Sequence, residues 1–572
     1  MQDCATLDLP AIETLKPKLR GGYYTPAPIA RFLAQWVIRS KDDRVLEPSC
    51  GDGQLVVAAA QQLLERGASA DEVHNQLRAT ELFQSEASIA RSRLADLGLN
   101  GFQIVSTGDF FTALGTQSEL SFTHNDTPLK DLCFDAVIGN PPFLRYHTFP
   151  EEQRQKAFAE MQRAGLQPSR LTNAWVPFLI ASAQRLTKTG RLAMVIPAEL
   201  LQVGYAGETR AFLARYFAAI TIVSFRKLVF DGIQQEIVLL LAERGAGTTH
   251  YIDVVELDDL GGLPDLSSQL RVNHSHKLLT ETRDKWTQYY LNPDEIELIQ
   301  LLSKRADIPK LNQFARAEVG VVTGNNAYFV QREQDVAARQ LQGFVRPLVG
   351  RTAQLPGLTY TTSDHENQRE SGAGCWLLDI PASTPLTEPL KAYIDEGHRA
   401  EAHTGYKCRI RPSWYSVPSI WTPSAFLFRQ IYRYPKMVAN YTDATSTDTV
   451  HRVRLTQPIN AGQLAGSFYN VLTFAFAEIM GRSYGGGVLE IEPGETGHLP
   501  IPFFVDNQLD VEQLDTLERA GKSAEILAVT NRILHNKLGL DQSDLQRLTA
   551  IWAKLSERRT GRKSVSRKPT AN

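Results

Sequence analysis

Cysteine is sparse in this 572-residue chain: Cys4, Cys50, Cys133, Cys375 and Cys408 are odd in number, scattered, and nowhere arranged as Cys-x-x-Cys. That pattern argues against a disulfide framework and against a structural zinc site. Long hydrophobic runs are missing too, so no segment reads as a membrane span. The first residues, with Asp3 and Asp8, lack the basic and apolar pattern of a signal peptide, and a cytoplasmic location is the expectation. Neither sign of charge dominates: 61 Lys and Arg stand against 63 Asp and Glu, a net charge of −2. This speaks against a protein that coats nucleic acid nonspecifically, but site-specific DNA binding depends on charge distribution and stays open. No convincing nuclease motif is present. What remains is a globular composition, 43% apolar and 22% charged, in a chain too long for one core, so at least two domains are expected.

The most informative stretch is Phe134-Asp135-Ala136-Val137-Ile138-Gly139-Asn140-Pro141-Pro142-Phe143. Its apolar run has no helical period, as in a central strand, and Pro141-Pro142 then stops both helix and ladder. Asn140 is thereby placed at the carboxyl end of a strand, where open α/β sheets keep their ligand crevice. The Asn140 side-chain oxygen and the Pro141 carbonyl are acceptors that can converge on the two hydrogens of an exocyclic amine. Phe143 offers a flat face to a planar heterocycle. The plainer alternative is a strand ending in a proline-rich turn, with Asn for the turn and Phe for the core.

Other strand ends carry suitable groups. Arg44 to Gly53 reads as strand, glycine turn and helix start, with Gly51 and Gly53 letting the backbone pass close to a ligand. Leu77 to Leu82 is a second strand, and Glu81 at its end can accept both hydroxyls of a ribose. Gln103 to Ser106 is a third, followed by Asp109 and Phe110, which also read as an Asp-capped turn with core phenylalanines. Ahead of these, Tyr24-Thr25-Pro26 precedes a helix with Ile29, Leu33, Trp36 and Val37 on one face and Thr25 as its candidate N-cap. Residues 144–171 read as a long polar connection, in which Arg145 and His147 could touch phosphate or be solvated. Strands over 190–197, 220–225 and 237–241 bring the total to seven, and 246–309 reads as a connector.

Beyond the connector, Val319 to Val330 suggests a hairpin around a Gly-Asn turn. Between His403 and Tyr441 the chain carries Lys407, Arg409, Arg411, Arg429, Arg433 and Lys436, interleaved with aromatics and without an acidic residue. This is either a DNA-binding stretch or a basic surface over buried aromatics. Residues 506–572 read as helices and a basic tail.

Asn140-Pro141-Pro142-Phe143 resembles the Asn/Asp/Ser-Pro-Pro-Tyr/Phe motif of S-adenosylmethionine-dependent methyltransferases acting on exocyclic or amide nitrogen. With Asn first, it is more similar to N6-adenine DNA methyltransferases than to N4-cytosine enzymes. The motif order, with Tyr24-Thr25-Pro26 before the glycines and recognition last, resembles the gamma class of Taq-type and Eco57I-like type II restriction-modification methylases. The resemblance implies a class I, Rossmann-like α/β catalytic domain with a seven-stranded sheet over 1–245. It also implies a C-terminal α+β target-recognition domain over 310–505, of which Thr323-Gly324-Asn325 and Arg482 to Glu490 resemble the opening and closing parts. It implies that Tyr24, Thr25 and Pro26 close over the methionine portion of S-adenosylmethionine, that Glu47, Pro48, Cys50, Gly51 and Gly53 form its loop, that Glu81 and Leu82 hold the ribose, and that Asp109 and Phe110 hold the adenine. Asn140, Pro141, Pro142 and Phe143 are the implied catalytic motif, Asn140 also touching the cofactor, with Phe143 and Phe230 enclosing a flipped target base. The implied activity is methylation of adenine N6 in double-stranded DNA, without a metal, by a monomer paired with a separate restriction endonuclease at the same site. Ribosomal RNA or protein glutamine as substrate, or a non-catalytic specificity component, are the alternatives.

Overall fold

The computed structural model describes residues 24–115, 129–227, 229–230, 236–245, 250–270, 277–279, 283–484, 486–502 and 509–561. The turn expected at Asp231-Gly232, Gly485 of the closing recognition element and the basic tail from Arg562 lie outside them. The chain forms two compact units, Met1–Tyr290 with Gly561–Asn572, and Leu291–Thr560. No helix among the described residues is long and apolar enough to cross a membrane.

The first unit is built on one sheet whose strands are β1 (Val45–Glu47), β2 (Leu77–Glu81), β3 (Val105–Thr107), β4 (Phe134–Gly139), β5 (Leu186–Pro197), β6 (Ala219–Phe225), β7 (Ile237–Glu243), β8 (Tyr251–Leu257) and β9 (Lys277–Leu278). Their order is β3-β2-β1-β4-β5-β7-β6-β8-β9. From β3 to β5 neighbouring strands run parallel, and β7 enters antiparallel between β5 and β6. Parallel strands covered on both faces must be apolar on both, and β1, β2 and most of β4 are accordingly buried throughout. The helix α1 (Ala27–Val37) buries Ile29, Phe32, Leu33 and Val37 in the same core, about 1.5–3 kcal/mol for each large side chain withdrawn from water.

Three expectations change here. The sheet has nine strands rather than seven, because β8 and β9 come from the stretch read as a connector. The third strand begins only at Val105, since Gly101–Ile104 closes a helical turn capped by Asn100, whose Oδ1 accepts from the Phe102 amide at 3.1 Å. The polar connection after Phe143 contains a helix, Glu151–Arg163, rather than an open loop.

The second unit combines sheets of five, four and three strands with helices among its described residues. The hairpin expected at Val319 to Val330 does not form. Asn325 accepts from the Tyr328 amide and caps a helical turn at Asn326–Phe329, so the flanking segments pair elsewhere: Ala315–Glu318 with Val450–Leu455, and Val330–Arg332 with Gly374–Leu378. Helices Val511–Arg519, Ser523–Leu538 and Gln542–Thr560 complete the unit, the last packing on Val471–Met480. There Arg559 donates to Glu478 at 2.7 Å in a fully buried ion pair.

Candidate functional site

The sheet order reverses direction between β1 and β4, which lie side by side with Val45 opposite Ala136 and Leu46 opposite Val137. Loops leaving the two carboxyl ends therefore diverge to opposite faces, and the crevice opened between them receives Glu47 from β1 and Asn140 from β4. The approach is close: a Cβ on Gly139 would stand 3.3 Å from Pro48 Cδ.

The loop after β1 is tied to the end of β2. The Cys50 amide donates to the Thr80 carbonyl at 2.9 Å, and the Thr80 hydroxyl donates to the Pro48 carbonyl at 2.6 Å. Glu81 accepts from the Gly51 amide at 2.8 Å through one oxygen and from the Phe83 amide at 2.9 Å through the other. Gly51 and Gly53 both have left-handed backbone, with φ of 54° and 92°. Their surroundings differ. A Cβ on Gly53 would meet Ala90 of α2 (Gln84–Ala95) at 2.8 Å, whereas one on Gly51 would meet nothing within 4 Å. Gly53 lets a helix pack; Gly51 faces open space.

Glu47 is 1% exposed and its Oε2 has no hydrogen-bond partner. Burial, followed by the nearby Glu81 and Asp52 carboxylates, pushes its carboxyl well above the usual range. Burial also raises Asp52, even though Arg93 stands 2.9 Å from it. A buried acid among other acids is costly in its ionised form, so Glu47 is held toward the neutral form unless a cation meets it. Asp109 holds a helical turn: its Oδ2 accepts from the Thr112 amide at 2.8 Å and the Thr112 hydroxyl at 2.7 Å, and burial raises its carboxyl. The Phe110 ring is buried and stacked on Phe178, with centroids 5.6 Å apart. The capped-turn alternative thus describes the local structure here.

Thr25 does not cap α1. Pro26 occupies the cap without a side-chain bond, and the Thr25 hydroxyl instead accepts from Asn140 Nδ2 at 3.1 Å. In this arrangement the Asn140 nitrogen faces Thr25 and its oxygen is the acceptor. Sequence offered no signal for it, as the two residues are 115 positions apart. Likewise unanticipated, the Tyr24 hydroxyl donates to Glu86 at 3.0 Å. Pro48, Cys50 and Pro141 are buried and Leu82, Pro142 and Phe143 half-buried, Phe143 packing against the apolar core. Phe230 is itself a core residue, only 7% exposed.

The basic candidates separate into two groups. Lys436 is buried, lies 2.9 Å from Glu518 and donates to the Leu355 and Pro356 carbonyls. Arg429 pairs with Glu490 at 2.7 Å and Glu492 at 3.2 Å. Arg411 donates to the Val322 and Thr323 carbonyls at 2.9 and 2.8 Å. These three hold the fold and are not free to grip phosphate. Arg145, Lys407, Arg409 and Arg433 are exposed.

Two family profiles cover the chain, N-6 DNA Methylase over residues 11–311 and the C-terminal domain of Type II methyltransferase M.Eco57I over 283–535. Among curated relatives, Type II methyltransferase M.AccI of Acinetobacter calcoaceticus is 23% identical over 498 residues, covering 83% of each chain. Type II methyltransferase M.XamI of Xanthomonas campestris pv. amaranthicola is 23% identical over 494 residues, covering 84% of this chain and 85% of its own. Among solved structures, the Type IIL restriction-modification enzyme MmeI in complex with DNA matches 91% of this chain and 73% of its own, with 11% identity and a TM-score of 0.54, a likeness of fold.

Proposed function

The chain belongs to the N-6 DNA Methylase family, and from that premise we propose how its own residues carry out the transfer. It is a DNA adenine methyltransferase of a restriction-modification system and uses a methyl donor. The donor is S-adenosylmethionine. The observation that carries this reading is the buried Glu47 carboxyl, one oxygen of which has no partner, beside Glu81 at the β1/β4 crevice, an arrangement that suits a cation attached to a nucleoside.

In this reading Glu47 stands against the positive methionine end and Gly51 leaves room beside it. Glu81, already oriented by the Gly51 and Phe83 amides, accepts from the ribose hydroxyls. Asp109 keeps one oxygen on its cap and turns the other to the adenine amine. When bound, S-adenosylmethionine supplies a methyl group already activated by its sulfonium. The chain's task is then alignment. A target adenine cannot reach the crevice from within a duplex and is flipped out. Asn140 Oδ1 and the Pro141 carbonyl accept the two N6 hydrogens and draw the nitrogen lone pair out of ring conjugation toward the methyl carbon, while Phe143 stacks on the base. Thr25, by holding Asn140 Nδ2, keeps the acceptor oxygen on the substrate side.

Sequence recognition falls to the second unit, in the role of a target-recognition domain acting on double-stranded DNA, and the chain works as a cytoplasmic monomer beside a separate endonuclease of the same specificity. The test is to incubate unmethylated plasmid DNA with the protein and S-adenosylmethionine and map modified bases by sequencing. N6-methyladenine confined to one short sequence is the expected result. Methyl transfer into RNA or protein, with none into DNA, would overturn it.

A further inference from the structure

We propose that two segments of the second unit, residues 322–325 and 405–411, together form the element that touches the bases of duplex DNA. The proposal rests on the DNA-adenine reading above. Although 80 or more positions separate them in the chain, the segments are clasped into one surface. Arg411 donates to the carbonyls of Val322 and Thr323, and the buried Cys408 thiol donates to the Thr323 carbonyl at 3.7 Å. Gly324, with φ of 84°, approaches so closely that a Cβ would stand 2.9 Å from Lys407 Cβ and 3.1 Å from Cys408 Sγ.

What the clasp shows to solvent is unusual. Tyr406 is 64% exposed, Ile410 57% and Val322 41%. Single exposed apolar residues need no explanation, but these three are held together by the clasp. Tyr406 and Ile410 stand one helical turn apart, on the same side of Tyr406–Arg409, while Cys408 points inward. Exposed Lys407 and Arg409 flank them, the Lys407 ammonium lying 5.8 Å from the Tyr406 ring centre. Neither segment contains an Asp or Glu. Duplex DNA presents the complementary arrangement, base edges and thymine methyls bordered by two rows of phosphate, with base faces open to a side chain that unstacks a step. Apolar side chains that enter a groove meet the bases while the flanking cations hold the backbone. Because the clasp is fixed by the Arg411 and Cys408 bonds and the close approach at Gly324, the wedge is presented preformed.

The test uses the full chain and a short duplex bearing the sequence found by methylation mapping, with 2-aminopurine placed at successive steps. The double variant Tyr406→Ala/Ile410→Ala should bind this duplex about tenfold or more weakly, with an unchanged dependence on salt and a smaller 2-aminopurine response. Tyr406→Phe should bind like the parent protein. Lys407→Ala and Arg409→Ala should each lower the salt slope by about one unit. All four side chains are exposed, so unchanged thermal melting is expected and is checked alongside. Wild-type affinity in the double variant, or a loss of affinity accompanied by a reduced salt slope, would overturn the proposal while methylation by the parent chain still stands. Absence of any DNA methylation by the parent chain would instead sink the proposed function.

Discussion

The Glu47 crevice of the first unit handles buried charge in the opposite way to three ion pairs of the second. In the second, Lys436 faces Glu518, Arg559 faces Glu478 and Arg429 faces Glu490, each within 2.9 Å. In the first, Glu47 is as deeply buried as any of these, yet its neighbours are Glu81 and Asp52, and one of its oxygens has no partner. A matched pair satisfies itself and serves the fold. A buried carboxyl without a matching cation is held toward its neutral form and ionises only when a cation meets it, so it marks a candidate ligand site better than charge density does.

The most severe break should come from unmatching a matched pair. Lys436→Ala leaves Glu518 buried without its ammonium and should destabilise the second unit by about 3–5 kcal/mol. Denaturant unfolding checks it, and a stable variant with weakened DNA binding would mean that Lys436 serves DNA after all. Next is Asn140→Ala, which should retain donor binding and slow methyl transfer by on the order of a hundredfold or more, because alignment is the chain's main contribution. Single-turnover methylation of plasmid DNA measures it; an unchanged rate would remove Asn140 from the mechanism.

Smaller losses sharpen the contrast within the crevice. Glu81→Ala and Asp109→Ala should each weaken S-adenosylmethionine binding by about 1–3 kcal/mol, read by calorimetry. Wild-type affinity in both would place the nucleoside elsewhere. Glu47 supplies a pH test. Its carboxyl is raised in the folded chain, so the folded state binds more protons than the unfolded one above the ordinary carboxylate range, and stability contributed there is lost as pH rises through the raised value. Thermal melting of the ligand-free chain should show this fall, and Glu47→Gln should remove it. A cationic donor needs the ionised form, so its binding should release protons and strengthen with rising pH in the parent chain alone. The least effect is expected from exposed Arg433→Ala, no more than about one unit of salt slope.

The crevice was legible where its groups sit at the end of a short apolar run. The runs of β1 and β4 fix where a strand stops, and the next polar residue falls at the strand end: Glu47 and Asn140 follow from one rule, whereas β2 carries Arg78 and Thr80 ahead of Glu81. The basic stretch had no such rule. Lys436 and the exposed Lys407 are indistinguishable as letters, and only the distant Glu518 makes one of them structural. Thr25 was read as a cap because the local pattern Thr-Pro before an amphipathic helix permits it, but a long-range partner won. The connector failed for a related reason: every residue of β8 but Ile252 is half-exposed, on both faces, and its pattern is too weak to be distinguished from a loop until β6 pairs with it.

Sequence by itself determined the strand ends, the glycine turn and the Asn-Pro-Pro-Phe motif, because apolar runs, proline and glycine restrict the backbone locally wherever they occur. Tertiary structure decided which strands are neighbours, and so that Glu47 and Asn140 share one crevice. It also decided which cations are spent on internal carboxylates and which turns are clasped into a surface. Those outcomes depend on pairings between residues tens to hundreds of positions apart, and the free energy of a charge or hydroxyl is set by the partner it meets there, not by its neighbours along the chain.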